Sequence, residues 1–438
     1  MENSLCEKPE RRDSRRLSDY LRFGGKEKVH SLIDKVYHRT NLTMAWKRVK
    51  GNRGSGGIDG ETIETFEVDL AGNMERLHKE LRDDRYQAQP VRRVLIPKRG
   101  DPEKTRPLGI PAVYDRVCQQ ALVNRLEPIF EEMFDESSFG YRKGRRTRDA
   151  LKKIWCEIGE GREWIVDADL KDYFGSVDQK KLMALVAQRV SDGRVLKLIG
   201  QMLEAGYMEE GRLFPSKRGT PQGGVVSPLL SNILLTPFDK EMRRRGYKLT
   251  RWADDWVVTC RTSQEAKDAL ATAAKILQTL GVTLNATKTR IVHVTQGFEF
   301  LGFKIARGKG RYKLPVEKIK SKRNDRNLYA IPASKSVERF KETIRTITQR
   351  RNPITTPELV EKLNPVIRGW GNYYKRANVR WRFNRLDRWI TRRIWSHRYK
   401  KWRCCGWKEL SEPYLIGELG LVRLIGLIPS LQVARAHS

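Results

Sequence analysis

The run Arg251-Trp-Ala-Asp-Asp-Trp-Val-Val258 sets two carboxylates, Asp254 and Asp255, side by side among apolar residues. Neighbouring carboxylates in such a setting lose hydration and repel one another unless cations neutralise them. Taken alone, the run reads either as a solvated acidic turn or as a cation site. A second acidic strand end, Ile165-Val-Asp-Ala-Asp-Leu-Lys-Asp172, adds Asp167, Asp169 and Asp172, and alternation puts Asp167 and Asp169 on one face. Hard oxygen ligands on separate strands are what two divalent ions about 4 Å apart require. One ion lowers the pKa of an attacking hydroxyl and the other steadies a pyrophosphate leaving group, so this chemistry would be in-line phosphoryl transfer.

The elements that must position these groups are legible from periodicity. Val29 to Val49 carries apolar residues at helical spacing and ends in a glycine-rich stretch, Gly51 to Gly60. Its spacing matches neither common phosphate-loop pattern, which leaves a flexible turn or a nucleotide cradle. Val91 to Pro97 reads as a strand, Arg99 to Pro111 as a basic loop, and Ala112 to Phe134 as a helix. Trp164 to Leu170 reads as a strand, Gly211 to Lys217 as a hairpin, and Lys248 to Cys260 as two strands around a tight acidic turn. Between them, Gly219-Thr-Pro-Gln-Gly-Gly224 opens a helix with glycines at its mouth. Phe298 to Ile305 reads as one short strand. Past Arg307 to Lys313 the pattern turns helical only, which marks the main domain boundary. Strands separated by helices, with antiparallel hairpins among them, make the front part α+β.

Composition narrows the partners. The 438 residues carry 87 Lys and Arg against 53 Asp and Glu, a formal charge of +34, which points to a polyanion such as nucleic acid. The apolar stretch Leu415 to Ile428 is interrupted by Glu418, Arg423 and three glycines, so no spanning helix and no membrane partner is expected. Six scattered cysteines without a CxxC pair fit a reducing compartment and argue against a disulfide framework or a zinc site. The expected location is the cytoplasm, with nucleoid association as a ribonucleoprotein.

The order and wording of these blocks, from about His30 to Lys401, resemble the reverse transcriptases encoded by group II introns. That resemblance implies a right-hand polymerase fold of fingers and palm, followed by an all-α thumb or maturase domain. It implies two Mg²⁺ ions, with Mn²⁺ as a substitute, on Asp169, the Leu170 backbone carbonyl, Asp254 and Asp255, the three aspartates being catalytic. Asp167 and Asp172 have no such assignment and are read as structural or solvated. The family usually has YADD, so Trp252 keeps an aromatic at the primer side but loses the hydroxyl. Phe174 would be a steric gate against ribonucleotides, or else an ordinary core aromatic. Gln222 would bind around the base pair, and Gly223 and Gly224 would let backbone approach template and primer. Lys98 and Arg106 would reach the triphosphate, with Lys104 a solvated neighbour. Lys288 would be a general acid toward pyrophosphate or a surface lysine.

Between Glu361 and Leu410, fifteen Lys and Arg face three acids, and six of eleven tryptophans fall between Trp370 and Trp407. Basic residues among aromatics bind RNA by phosphate contact and stacking, while the same tryptophans could form a helical core. Arg368, Tyr373, Tyr374, Lys375 and Arg376 would be the RNA-binding residues of this maturase segment. The expected layout is a loosely ordered lead (1–28), an N-terminal extension with fingers (29–163) and a palm (164–306) with residues 180–215 inserted between its motifs. The thumb or maturase domain (314–405) and a short tail (406–438) would follow, with no endonuclease. The partners implied are group II intron RNA, target DNA and a primer strand, and deoxynucleoside triphosphates. The implied function is RNA-directed DNA synthesis during retrohoming together with assistance to splicing. A host-defence reverse transcriptase and a splicing-only maturase are the alternatives.

Overall fold

The computed structural model describes residues 28–98, 101–216, 218–308, 327–400 and 408–429; side chains at 98 and 101–104 lie outside the description. The expectations for the Lys98 and Lys104 side chains and for residues 1–27 therefore fall on parts that are not described. The chain divides into two compact units, the first within residues up to Ile291 (excluding 99–101 and 159–161) and the second from Val292 onward.

The first unit is built around a four-stranded sheet in the order Lys248–Trp252, Asp255–Cys260, Trp164–Ala168 and Arg290–His293. The strand Asp255–Cys260 is buried on both faces after its first residue, which is why it reads as the continuous apolar run Trp256-Val257-Val258. The helices Ser227–Arg244 and Ser263–Thr279 pack on this sheet. The second helix starts where the Thr262 side chain accepts the Glu265 amide, satisfying an otherwise orphaned donor.

A second sheet orders strands Asp101–Ile110, Val91–Lys98, Tyr207–Glu209 and Arg212–Phe214. The strand Asp101–Ile110 lies where the sequence reads as a loop, because Pro102, Pro107 and its charges mask the pattern while backbone pairing still holds it. The helix Val113–Glu131 is almost wholly buried, and the helix Arg39–Gly51 packs on it. Residues 180–215 hold all but the first residue of the helix Gln179–Val186, the helix Gly193–Glu204, and the hairpin closed at Glu210 and Gly211.

In the second unit, Phe298–Phe300, Phe303–Arg307 and Leu328–Pro332 form an antiparallel sheet, followed by helices Ser334–Ile347, Thr356–Tyr374 and Arg380–Tyr399. The single strand expected over Phe298 to Ile305 is a hairpin, turned by Leu301 and Gly302, both at positive φ. The division falls at Val292, ahead of the glycine- and lysine-rich stretch, because Leu328–Pro332 pairs residue for residue with Phe303–Arg307 across that stretch. Phe340, Trp370, Tyr374 and Phe383 form an aromatic core here, with Phe340 and Trp370 stacked at 4.5 Å.

Candidate active site

The strand Trp164–Ala168 runs antiparallel to Asp255–Cys260 with Ala168 opposite Trp256. The pairing ends one residue short of Asp169 and Asp255, which leaves both at the same end of the two paired strands. Asp254 sits in the two-residue turn between the paired Trp252 and Asp255, preceded by Ala253 at φ +57°. The three carboxylates expected from sequence thus come together at one end of the sheet.

Their electrostatics record that crowding. Asp255 is pushed up to about 7, first by burial of its carboxyl and then by the charges of Asp254 and Asp169, with Lys288 opposing. Asp254 is also raised, chiefly by burial and further by Asp169, while its own backbone, Arg106 and Lys288 pull it down. The Lys288 ammonium contacts the Asp169 carboxylate, and the Asn285 amide lies 3.4 Å from the same oxygen. Asp167 is turned to Arg290, whose Nε and Nη2 donate to it at 2.9 and 2.8 Å, so it serves structure. Asp172 stands exposed at the start of the short helix Tyr173–Ser176. Among the described residues no group of three or more His, Cys, Asp or Glu side chains is already gathered closely enough to hold a metal ion. The donor set is nevertheless of the hard-oxygen kind, and its repulsion is relieved in the protein by one lysine and the field of one arginine. That combination fits divalent cations.

A buried arginine holds the turn. Arg251 is 0% exposed, and Asp239 from the helix Ser227–Arg244 receives its Nε and Nη2 at 2.7 and 2.6 Å. Its Nη1 donates to Asn232 Oδ1 at 3.0 Å and to the Ala253 carbonyl at 2.9 Å, and Nη2 also reaches Ser138 Oγ at 2.8 Å. All five guanidinium donors are therefore engaged. Burial opposes the charge, but Asp239 more than offsets it and holds Arg251 above its ordinary range. The loop Ser137–Gly140 runs along the edge of the same strand: Phe139 N donates to the Arg251 carbonyl, and a Cβ on Gly140 would stand 2.4 Å from the Ala253 nitrogen.

Phe174 is half-buried at the edge of the core, edge-on to Tyr173, and its carbonyl accepts the Thr220 amide at 2.8 Å. The glycine-rich block is thereby fixed against the Phe174 helix, and Gly109 N bonds the Gln222 carbonyl at 2.7 Å. The close approach that requires Gly223, at φ +117°, is to the Gly109 carbonyl, and a Cβ on Gly224 would meet Ser227 Oγ, so both glycines have a packing role within the chain. Arg106 is exposed, and its charge acts on Asp254. Trp252 is half-buried beside the turn.

In the second unit, Arg368, Tyr373 and Arg376 are exposed and Lys375 is half-buried. Tyr374 is 3% exposed, and its hydroxyl bonds Ser336 and donates to the Gly302 carbonyl, so it belongs to the core and offers no face to RNA. Tyr373, although exposed, also donates its hydroxyl to the Leu301 carbonyl. Sequence reasoning passed over Arg251, Asp239 and Asn232. The available signal was a charge inside an alternating apolar strand and an aspartate inside the apolar helix Ser227–Arg244.

Residues 96–305 match the model of the reverse transcriptase (RNA-dependent DNA polymerase) family, and residues 337–412 that of the group II intron maturase-specific domain. The chain is 34% identical over 295 residues to Protein YkfC of Escherichia coli K12, covering 58% of this chain and 77% of that one. It is 27% identical over 424 residues to the group II intron-encoded protein LtrA of Lactococcus lactis, covering 78% and 69% respectively. A similar match, 27% over 418 residues, links it to an uncharacterized 91 kDa protein in a cob intron of Schizosaccharomyces pombe, of which it spans about half. The chain belongs to the group II intron-encoded reverse transcriptase and maturase family. It is accordingly an RNA-directed DNA polymerase with a splicing-assisting domain, dependent on divalent metal and acting on nucleic acid, intron RNA included. Among the described residues no helix is long and apolar enough to cross a membrane.

Replacing Arg251 by Met leaves Asp239 buried and unpaired, and urea unfolding should show a loss of about 3–5 kcal/mol. Arg251→Lys should recover little, because one ammonium cannot span the same acceptors; a lysine variant within about 1 kcal/mol of wild type would contradict this network. For Asp255 the folded pKa lies above the usual carboxylate value, so between about pH 4 and pH 7 the folded state keeps a proton that the unfolded chain releases. Its contribution to stability thus falls as pH rises through that window. In chelator, Asp255→Asn should raise the melting temperature at pH 8 and leave it nearly unchanged at pH 4. Equal shifts at both pH values would count against the assignment.

Proposed function

We propose that Asp169, Asp254 and Asp255 form the polymerase centre and that the chain copies its parent intron RNA into DNA from a borrowed DNA primer strand. The observation that carries this reading is that the paired strands leave Asp169 and Asp255 at one end of the sheet, with Asp254 in the adjoining turn and the charges of Asp254 and Asp169 acting on Asp255. Asp169 and Asp254, with Asp255 and the Leu170 carbonyl beside them, would hold Mg²⁺, which when bound lowers the pKa of the primer 3′-hydroxyl and neutralises the pyrophosphate.

The residues of the chain supply position and charge. Arg106, an exposed guanidinium acting on the carboxylate cluster, binds the triphosphate of the incoming deoxynucleotide, where a planar fork suits phosphate oxygens. Lys288 shields Asp169 and stands ready to protonate departing pyrophosphate. Phe174, held by its backbone bond to Thr220, closes the floor below the sugar, and Gln222 borders the base pair. In the second unit the exposed cations Arg368 and Arg376, with Lys375, grip intron RNA during splicing, whose chemistry belongs to the RNA. Such a protein would work as a ribonucleoprotein at the nucleoid.

Primer extension on an RNA template with Mg²⁺ tests the assignment. Wild type should make cDNA and Asp254→Ala should make none, with assisted splicing of the cognate intron preserved in both. A wild type without product across salt and primer conditions, or a variant that still extends, overturns it.

A further inference from the structure

Tyr141 has no part in the chemistry derived so far, yet it is held in an unusual way. Its φ is +57°, in the left-handed region that tyrosine seldom adopts, and the residue is 54% exposed. Both neighbours are anchored. Gly140 gives its carbonyl to the Asn232 amide at 2.9 Å. Arg142 is buried, with Nε and Nη2 on Glu131 at 2.9 and 2.6 Å and Nη1 on the Asp135 and Ser138 carbonyls. A strained, exposed aromatic fixed on both sides is not explained by packing of the ring.

The placement of this residue follows from the loop's path. Ser138 bridges Arg251 in parallel sense, Phe139 N bonds the Arg251 carbonyl, and Gly140 abuts Trp252 and Ala253. The next step along that course delivers Tyr141 beside Asp254. The forces on its phenol agree: burial of its inner part raises the hydroxyl, followed by Asp254, with Arg106 opposing and Asp255 adding. Among the described residues the hydroxyl has no hydrogen-bond partner. The other aromatics at this edge are differently disposed: Tyr173 is buried with its hydroxyl on the Ser231 carbonyl, while Phe174 and Trp252 carry no hydroxyl.

We propose that Tyr141 is a substrate-contacting residue whose hydroxyl donates a hydrogen bond to the incoming nucleoside triphosphate between Arg106 and the Asp254 turn. This rests on the polymerase reading above. A polyanion drawn to Arg106 supplies acceptors that the protein does not, and a neutral phenol among carboxylates can donate where a further acid could not. The strain at Tyr141 is then the means by which the loop turns the ring outward rather than into the core.

Single-nucleotide incorporation on a fixed primer–template with Mg²⁺ separates the cases, with primer–template affinity and melting temperature measured alongside. Tyr141→Phe should raise the KM for nucleotide about fivefold, the worth of one hydrogen bond, with kcat and primer–template Kd unchanged. Tyr141→Gly, which relieves the left-handed strain, should melt no lower than wild type and raise KM at least as much. A KM for Tyr141→Phe within about twofold of wild type, which is less than one ordinary hydrogen bond, overturns the contact. So does a fall in kcat and melting temperature at unchanged KM, which would mark a structural residue. A wild type that incorporates nothing overturns the polymerase assignment and this contact with it, a result distinct from an active wild type beside an indifferent variant.

Discussion

The constraint on which the structure turns is the mutual repulsion of three carboxylates at the end of one sheet. Asp169, Asp254 and Asp255 share a partly desolvated space, and burial with like charge lifts Asp254 and Asp255 toward their neutral forms. A fold that places them there must either keep protons on them or recruit cations. Here Lys288 on Asp169 and the field of Arg106 supply part of the counter-charge. Divalent ions and the substrate that brings them would complete it, so assembly of the reactive complex and relief of repulsion are one event.

Holding such charges close requires a rigid support, and the protein provides it from behind. The bidentate pair of Arg251 with Asp239 ties the catalytic hairpin to the helix Ser227–Arg244, while the remaining donors tie it to Asn232, Ala253 and Ser138. A fully satisfied buried ion pair adds little net stability over an apolar contact, but it fixes geometry, because removing either charged partner strands the other. The acceptor at Ala253 is the telling one: it lies in the strained turn itself, directly before Asp254. Gly140 adds the second constraint, since any side chain there would collide with the turn.

Much of this was legible in the sequence where one local pattern dominates. Asp254 and Asp255 stand out because they interrupt β-branched and aromatic residues, and Asp169 because alternation pairs it with Asp167. The reading failed where local signals conflict with long-range pairing. Asp101–Ile110 carries two prolines and several charges yet is a strand, and Phe298 to Ile305 reads as one apolar strand yet turns at Leu301 and Gly302. Glycines were ambiguous for the same reason: Gly223 needs its missing side chain because of Gly109, over one hundred positions away in sequence. Tyr374 shows the reverse case, an aromatic in a basic helix that looks like a stacking platform and proves to be core.

The most direct test of the carboxylate constraint is to locate cations in the assembled complex. Anomalous scattering from crystals of the protein with primer, RNA template, a non-hydrolysable nucleotide and Mn²⁺ would do so. The account predicts two manganese peaks about 4 Å apart, bridged by Asp169 and Asp254 with Lys288 displaced from Asp169. An ordered primer and nucleotide with no manganese on either aspartate would contradict it.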